Sequence, residues 1–167
     1  MTLEIRLARS DELTAVGELT VAAYAPFTLG PRDPYVATLR DAAGRAERAD
    51  LWVAVDDGDL VGTVTDPPQG STYREIGGAD DGEFRMLAVA PAAQGRGVGR
   101  AMVAFLLGRY RERGYRGVVL STLAEMSAAH RVYEQLGFRR TPELDWSPLP
   151  GVALITFRLD LVGGAST

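Results

Sequence analysis

The most informative segment of the chain reads Glu83-Phe-Arg-Met-Leu-Ala-Val-Ala-Pro-Ala-Ala-Gln-Gly-Arg-Gly-Val-Gly-Arg100. Its first part, up to Val89, has the apolar and β-branched character of a strand, and Pro91 ends that strand. Three glycines follow at alternate positions (95, 97 and 99), and apolar residues then recur at helical spacing. The segment therefore predicts a strand that leads through a glycine-rich turn into a helix.

A glycine-rich turn before a helix is suited to binding a diphosphate. Glycines let backbone N–H groups approach a ligand closely, and the start of a helix adds positive potential. Arg96 and Arg100 bring two cations to the same place. The glycine spacing alone would also suit a tight connection that binds nothing. It does not fit a nicotinamide site, which needs G-x-G-x-x-G and an acidic residue at the end of the next strand, where this chain has Ser121-Thr122.

The composition restricts the chemistry available to the chain. Its 167 residues, of which 46% are apolar and 24% charged, predict a single globular domain over 1–167 with a frayed tail over 163–167. Cys is absent and all 18 basic residues are Arg, which excludes thiolate sites, a P-loop lysine and a Schiff-base lysine. With one His and no Cys, we expect no metal site.

The charge and hydropathy patterns predict the protein's surroundings. The net charge of −4 argues against a general nucleic-acid partner. No apolar run approaches the ~20 residues of a membrane span, and the first residues do not resemble a signal peptide. These features predict a cytoplasmic protein that binds neither nucleic acid nor membrane.

Strand-like and helix-like patterns alternate along the chain. Asp33-Pro34 gives a cap and a first-turn proline, which is typical of a helix start. A loop as long as the one over 66–82 is usually functional or mobile. The patterns predict strands over 3–7, 51–55, 60–65, 83–89, 117–122 and 152–161, and helices over 10–24, 34–48, 98–110 and 127–136.

Two motifs in this order resemble those of the GNAT superfamily of acetyltransferases. Gln94-Gly95-Arg96-Gly97-Val98-Gly99 resembles its Q/R-x-x-G-x-G/A signature, and the preceding Leu87-Ala88-Val89-Ala90-Pro91 resembles the strand that leads into it. Tyr133-Glu134-Gln135-Leu136-Gly137-Phe138 is similar to the second acetyl-CoA motif. The resemblance covers residues 3–160. It implies an α/β fold with a mostly antiparallel sheet of about six or seven strands and about four helices, splayed between strands four and five.

The resemblance also implies acetyl-CoA as cosubstrate. The turn would hold its diphosphate, with the residues Gln94, Gly95, Arg96, Gly97, Val98, Gly99 and Arg100. Leu87, Ala88 and Val89 would bind the pantetheine arm as an added strand does, and a backbone N–H there would face the thioester carbonyl. Many relatives begin the second motif with Asn. This chain has Met126 there, so we expect Ser127 to cap the helix and contact the cofactor instead.

Acetyl transfer to an amine needs an acid and a base. By the resemblance, Tyr133 is the general acid and Glu83 the base, although Tyr133 would also suit a core position and Glu83 an exposed strand start. Tyr24, Phe27 and Tyr35 would line the acceptor site or simply fill the core. The acidic residues before Glu83 favour a cationic amine, whereas Arg85 would suit a carboxylate.

The predicted function is transfer of an acetyl group from acetyl-CoA to a small primary amine. Because the chain has no Cys to carry the acetyl group, direct attack in a ternary complex is favoured. Two alternatives stay open, a protein N-terminal or lysine acetyltransferase and a non-catalytic acyl-CoA-binding module. The sequence does not decide the oligomeric state, and a homodimer is compatible with it.

Overall fold

The computed structural model describes residues 2–161, so the predicted tail over 163–167 lies outside the described residues. Nine strands and five helices make up this part of the chain. The strands are β1 (Leu3–Leu7), β2 (Asp50–Asp56), β3 (Asp59–Asp66), β4 (Asp81–Glu83), β5 (Arg85–Val89), β6 (Gly117–Leu123), β7 (Arg139–Arg140), β8 (Trp146–Leu149) and β9 (Val152–Asp160). The helices are α1 (Leu13–Tyr24), α2 (Pro34–Arg40), α3 (Ala42–Arg48), α4 (Val98–Glu112) and α5 (Ser127–Gln135).

The strands form two sheets, and the pairing is mostly antiparallel. The first sheet has the order β1-β2-β3-β5. The second has the order β4-β6-β9-β7, with β8 also paired to β9. Within the described residues, β4 and β6 form the one parallel pair. This arrangement confirms the mixed α/β fold, with more strands than expected because several are only two to four residues long.

Strand β2 is buried on both faces, which explains its unbroken apolar sequence. Val53 and Val55 pack against α1 and α3, whereas Trp52 and Ala54 pack against α4. Side chains alternate between the two faces of a strand, so covering both faces requires apolar residues at every position. The first sheet is therefore sandwiched between helices.

The segment 81–89 passes from the second sheet to the first, and the two sheets separate at this point. Strand β4 pairs with β6, with Glu83 opposite Val119. After Phe84 the chain turns to β3, so β5 pairs with β3 instead of with β6. The single strand predicted over 83–89 is therefore wrong, because residues on the two sides of Phe84 belong to different sheets. The predicted strands four and five, 83–89 and 117–122, correspond to β4–β5 and to β6. Because β5 does not pair with β6, the predicted separation of these strands is confirmed.

The helix predicted over 34–48 is divided at Asp41. The backbone of Asp41 has φ −80° and ψ 65°, and its carboxylate accepts a hydrogen bond of 3.0 Å from the N–H of Gly44 at the start of α3. Arg45, which is 1% exposed, donates to the carbonyls of Thr38 and Leu39 at 2.9 and 3.0 Å. A buried guanidinium thus satisfies the last carbonyls of α2, which the sequence pattern could not show.

Two helical glycines give a matched test of this packing. A Cβ on Gly17 in α1 would collide with the carbonyl oxygen of Arg40, whereas a Cβ on Gly108 in α4 would meet nothing within 4 Å. We expect Gly17→Ala to lower the free energy of unfolding by about 1–3 kcal/mol. Gly108→Ala should raise it by about 0.5–1 kcal/mol, because Ala favours a helix over Gly. Urea unfolding measures both, and a Gly17→Ala variant as stable as Gly108→Ala would contradict the close contact of α1 with α2.

Candidate active site

A cavity of about 720 Å³ lies where the two sheets separate. One side is formed by Met86 and Leu87 of β5, and the other by residues 120–123 of β6. The segment after α1 and the β8–β9 hairpin close its ends, through residues 24–35 and 148–154. All four residues predicted to bind the acceptor line this cavity, namely Tyr24, Phe27, Tyr35 and Arg85.

The edge of β5 that faces away from β3 has no strand partner among residues 2–161. The N–H of Ala90 donates to the carbonyl of Val61 in β3 at 2.9 Å. Since N–H groups alternate in direction along a strand, those of Leu87 and Val89 point to the open edge and that of Ala88 points to β3. Leu87 and Val89 therefore offer N–H groups to a ligand, while their carbonyls accept hydrogen bonds from Tyr24 and Gln94. Ala88, predicted with them, uses its backbone within the sheet.

Met86 has a left-handed backbone, with φ 53°. The register between β3 and β5 shifts opposite it, between Thr63 and Thr65. A bulge of this kind bends a strand and redirects the residues that follow, and bulges are frequent beside active sites. Met86 itself lines the cavity. No sequence signal indicated this feature, because methionine has no preference for a left-handed backbone.

The predicted glycine-rich turn connects β5 to α4. Gly95 and Gly97 have φ 80° and 84°, and Gly97 is the N-cap of α4. The first backbone bond of the helix runs from the N–H of Ala101 to the carbonyl of Gly97 at 3.0 Å. The N–H groups of residues 98–100 therefore have no acceptor within the helix. Because Gly95 and Gly97 are exposed and Gly99 is half-buried, these N–H groups are open to an anion.

The polar side chains of the turn have partners within the fold. Arg96 pairs with Asp56 at 3.0 Å, and Gln94 donates to the carbonyl of Val89 at 3.2 Å. Arg100 donates to the amide oxygen of Gln135 at 3.0 Å and makes no ion pair in the described part of the chain. Arg100 therefore keeps its full charge for a ligand, whereas the charge of Arg96 is partly balanced.

Tyr133 packs among aromatic rings and lines the cavity. Its ring centroid lies 6.1 Å from Phe84, 5.9 Å from Phe138 and 5.7 Å from Phe157. The residue is 4% exposed and lines the cavity, and its hydroxyl makes no hydrogen bond with any described residue. Burial raises the pKa of Tyr133 above its ordinary value, which favours the protonated hydroxyl. The hydroxyl is therefore a free proton donor.

The start of α5 differs from the prediction. Ser127 is the first residue of the helix and is exposed, and the N-cap is Met126, which makes no side-chain cap bond. The N–H of Ser127 is already bonded to the carbonyl of Glu125 at 2.9 Å. The predicted cap by Ser127 is wrong, because the helix begins one residue earlier than that role requires. Ser127 is also absent from the cavity lining, which Met126 joins instead.

Glu83 is completely buried and does not line the cavity. Its carboxylate accepts three backbone hydrogen bonds, from Glu75 at 3.0 Å, Ile76 at 3.2 Å and Gly77 at 2.8 Å. These bonds occupy both oxygens and hold the long loop over 66–82 against β4. This position fits neither the predicted general base nor an exposed residue at a strand start. Glu83 instead has a structural role, in which its carboxylate holds the loop in place.

The loop held by Glu83 brings another carboxylate, that of Glu75, to the cavity. Glu75 lines the cavity, and its Oε1 lies 2.6 Å from Nε of Arg85. Arg85 also donates from Nη1 to the carbonyl of Tyr73 at 3.4 Å. Burial raises the pKa of Glu75 above its ordinary value, and the Arg85 guanidinium acts in the opposite direction. No sequence pattern distinguishes Glu75 from its neighbours, although it lies in a loop of unusual length.

Glu83→Gln distinguishes a structural role of Glu83 from a role as general base. A glutamine side chain has one oxygen, so at least one of the three N–H groups loses its acceptor. We expect the free energy of unfolding to fall by about 1–3 kcal/mol in urea. Asp80→Asn is the control, since Asp80 is exposed and its side chain makes no hydrogen bond in the described structure. Loss of turnover at unchanged stability would instead identify Glu83 as the base.

Residues 15–138 match the Acetyltransferase (GNAT) family. Because the match covers most of the chain, the chain belongs to the GNAT family of acetyltransferases. The open edge of β5 and the glycine-rich turn lie within the matched residues, and so does the cavity lining apart from residues 148–154.

Two curated relatives cover much of this sequence. Mycothiol acetyltransferase of Cellulomonas flavigena is 34% identical over 132 residues, which are 66% of this chain and 36% of that protein. Human N-acetylaspartate synthetase is 36% identical over 106 residues, which are 62% of this chain and 32% of that protein. The chain thus spans about a third of the length of these relatives.

Solved structures share the fold over nearly the whole chain. The ribosomal-protein-S18-alanine N-acetyltransferase of Escherichia coli has a TM-score of 0.70 at 19% identity, with 99% of each chain covered. The yncA protein of Salmonella typhimurium, solved with its cofactor acetyl-CoA, has a TM-score of 0.67 at 21% identity, with 99% of this chain and 98% of that chain covered. At these identities the likeness establishes the fold. None of the helices within residues 2–161 has the length and apolar character to cross a membrane.

Proposed function

We propose that the protein transfers an acetyl group from acetyl-CoA to a primary amine of a small molecule. One observation carries this proposal. The open edge of β5 leads directly into a turn in which Gly95 and Gly97 are left-handed and exposed. Tyr133, whose hydroxyl makes no hydrogen bond with a described residue, lines the same cavity as Met86 and Leu87 of β5. An extended arm ending in a diphosphate would match the first two features, and a leaving thiolate would match the third.

The chain offers a complementary group to each part of acetyl-CoA. The backbone groups of Leu87 and Val89 would bind the amides of the pantetheine arm, as an edge strand binds an added strand. The N–H groups of residues 98–100 and the guanidinium of Arg100 would hold the diphosphate. When bound, acetyl-CoA supplies an activated acetyl thioester.

The residues of the cavity then promote acetyl transfer. A backbone N–H at the edge of β5 stabilises negative charge on the thioester oxygen, which is worth roughly 3–4 kcal/mol of barrier. The amine nitrogen attacks the carbonyl carbon and the C–S bond breaks, while Tyr133 donates its proton to the sulfur. We assign the proton released by the amine to Glu75 instead of Glu83, because Glu75 lines the cavity and Glu83 is covered by the loop.

Features of the cavity favour a small acceptor over a protein. Aromatic residues of the segment after α1 close one end of the cavity, and the β8–β9 hairpin closes the other. A cavity closed at both ends suits a small molecule better than an extended polypeptide. The names of the relatives, which refer to mycothiol and N-acetylaspartate, support the same choice. Acetylation of a protein N-terminus is the second candidate, supported by the name of the Escherichia coli structure. The unbonded Tyr133 hydroxyl favours an enzyme over a binding module.

Release of CoA in the presence of single amines tests the proposal. A thiol reagent reports only the released CoA, because the chain has no Cys. We expect release that depends on a small amine, with intersecting initial-rate lines that indicate a ternary complex. Parallel lines would contradict direct attack. Faster release with peptides than with every small amine would favour the protein acetyltransferase, and tight acetyl-CoA binding without release would favour the binding module.

A further inference from the structure

The Glu75–Arg85 pair is the charged centre of an otherwise largely apolar cavity. Both side chains are mostly covered, with 16% and 20% of their surface exposed. Arg85 is the one cation that lines the cavity among residues 2–161. The other two lining carboxylates are differently placed, since Asp33 accepts the N–H groups of Leu29 and Tyr35, and Glu125 is exposed at the rim.

The pair leaves polar atoms without partners. A guanidinium has five N–H donors, and two of those of Arg85 face Glu75 and the Tyr73 carbonyl. Oε1 of Glu75 is sealed from solvent, and although Nε of Arg85 is close, no donor is aligned on it. Oε2 of Glu75 accepts no hydrogen bond within the described chain. Oε1 is thus closed to a ligand. The atoms available to one are Oε2 of Glu75 and the N–H donors of Arg85 that have no partner in the described chain.

We propose that the acceptor is an α-amino acid, with its carboxylate bound by Arg85 and its ammonium group bound by Glu75. This inference rests on the proposed function and names the substrate class of the same site. Because the ion pair is net neutral, a ligand with a single charge would add an unbalanced charge to a partly dehydrated site, which costs free energy. A zwitterion satisfies both members at once.

The distance between the two charged groups and the residues that line the cavity indicate which amino acids fit the site. Because Nε of Arg85 and Oε1 of Glu75 are 2.6 Å apart, the two ligand charges must also be close, as they are when one carbon separates the nitrogen from the carboxyl group. The remaining wall is mostly apolar and includes Phe27, Leu123 and Leu149. We therefore expect an apolar side chain on the amino acid. The ammonium group then lies beside Glu75, which accepts its proton before the nitrogen attacks.

The test compares three forms of the same molecule on the wild-type protein. Phenylalanine carries a carboxylate, phenylalaninamide carries a neutral amide in its place, and phenethylamine carries neither. Leucine, leucinamide and the corresponding amine form a second set. With acetyl-CoA saturating, we expect kcat/KM for the acid to exceed that for the amide about 10- to 100-fold, the range of a charge-assisted bidentate contact. This comparison needs no variant and so does not depend on the folding of one.

Arg85→Gln should reduce the preference for the acid over the amide to near unity. Arg131→Gln is the matched control, because Arg131 is exposed on α5 outside the cavity and should keep the wild-type preference. Thermal unfolding with CoA and each acceptor gives a second readout, in which the acids raise Tm for the wild type and not for Arg85→Gln.

The outcomes separate this inference from the proposed function. Equal turnover of acids and amides, or faster turnover of the amines, would overturn the amino-acid acceptor and leave acetyl transfer standing. Binding of acetyl-CoA without turnover or a Tm change for any amino acid would also reject it. Failure to bind acetyl-CoA at all would overturn the proposed function, and the acceptor assignment with it.

Discussion

Gly97→Asp is expected to weaken acetyl-CoA binding about 10- to 100-fold relative to Gly97→Asn. Gly97 is the N-cap of α4 with φ 84°, and a Cβ there would meet nothing within 4 Å. A carboxylate at this position stands beside the N–H groups proposed to hold the diphosphate. Repulsion between charges about 5–6 Å apart costs roughly 1–3 kcal/mol at the dielectric of a protein surface.

The asparagine variant isolates the charge from the change in shape. Asn and Asp have nearly the same size, both adopt a left-handed backbone more readily than other residues with a side chain, and both are accepted at an N-cap. Calorimetric titration of acetyl-CoA gives both dissociation constants, and thermal unfolding confirms that both variants are folded. Equal affinities for the two variants would place the diphosphate elsewhere.

Tyr133→Phe is expected to lower kcat by about 10²- to 10⁴-fold, the usual contribution of a positioned acid. The substitution removes only the hydroxyl and retains the ring that packs against Phe84, Phe138 and Phe157. Because that hydroxyl makes no hydrogen bond to a described residue, stability should change little. The dissociation constant of acetyl-CoA should also stay within a few-fold of the wild type.

A control on the same aromatic cluster separates chemistry from packing. Phe138→Leu removes a ring that Tyr133 contacts and keeps the hydroxyl, so it should lower stability by about 1–3 kcal/mol and kcat much less. Wild-type turnover in Tyr133→Phe would show that Tyr133 is a core residue, the alternative that the sequence left open.

The features that the sequence predicted best are those with local causes. The glycines at 95 and 97 adopt left-handed backbones that few other residues accept, so the turn and the start of α4 could be read from the residue types alone. Gly137, with φ 97°, ends α5 for the same reason. The cavity position of Tyr133 follows from its spacing to these glycines within a known family pattern.

The features that the sequence could not predict depend on distant residues. The family resemblance predicts Glu83 as the base, but its carboxylate instead accepts three N–H groups that a long loop brings onto it. The break at Asp41 depends on Arg45, whose guanidinium is buried beside Thr20 of α1, and the bend at Met86 depends on its pairing with β3. Each requires tertiary contacts that neither propensity nor periodicity encodes.

Thermal unfolding of the wild-type protein with acetyl-CoA, and with NAD as a dinucleotide control, tests the central claim most directly. Ligand at 100 times its Kd adds about 2.7 kcal/mol to the free energy of unfolding. For a domain of this size that raises Tm by roughly 5–11 °C. The account predicts this rise with acetyl-CoA and none with NAD. An unchanged Tm with acetyl-CoA, or an equal rise with NAD, would contradict the proposal that the open edge of β5 and the glycine-rich turn form an acetyl-CoA site.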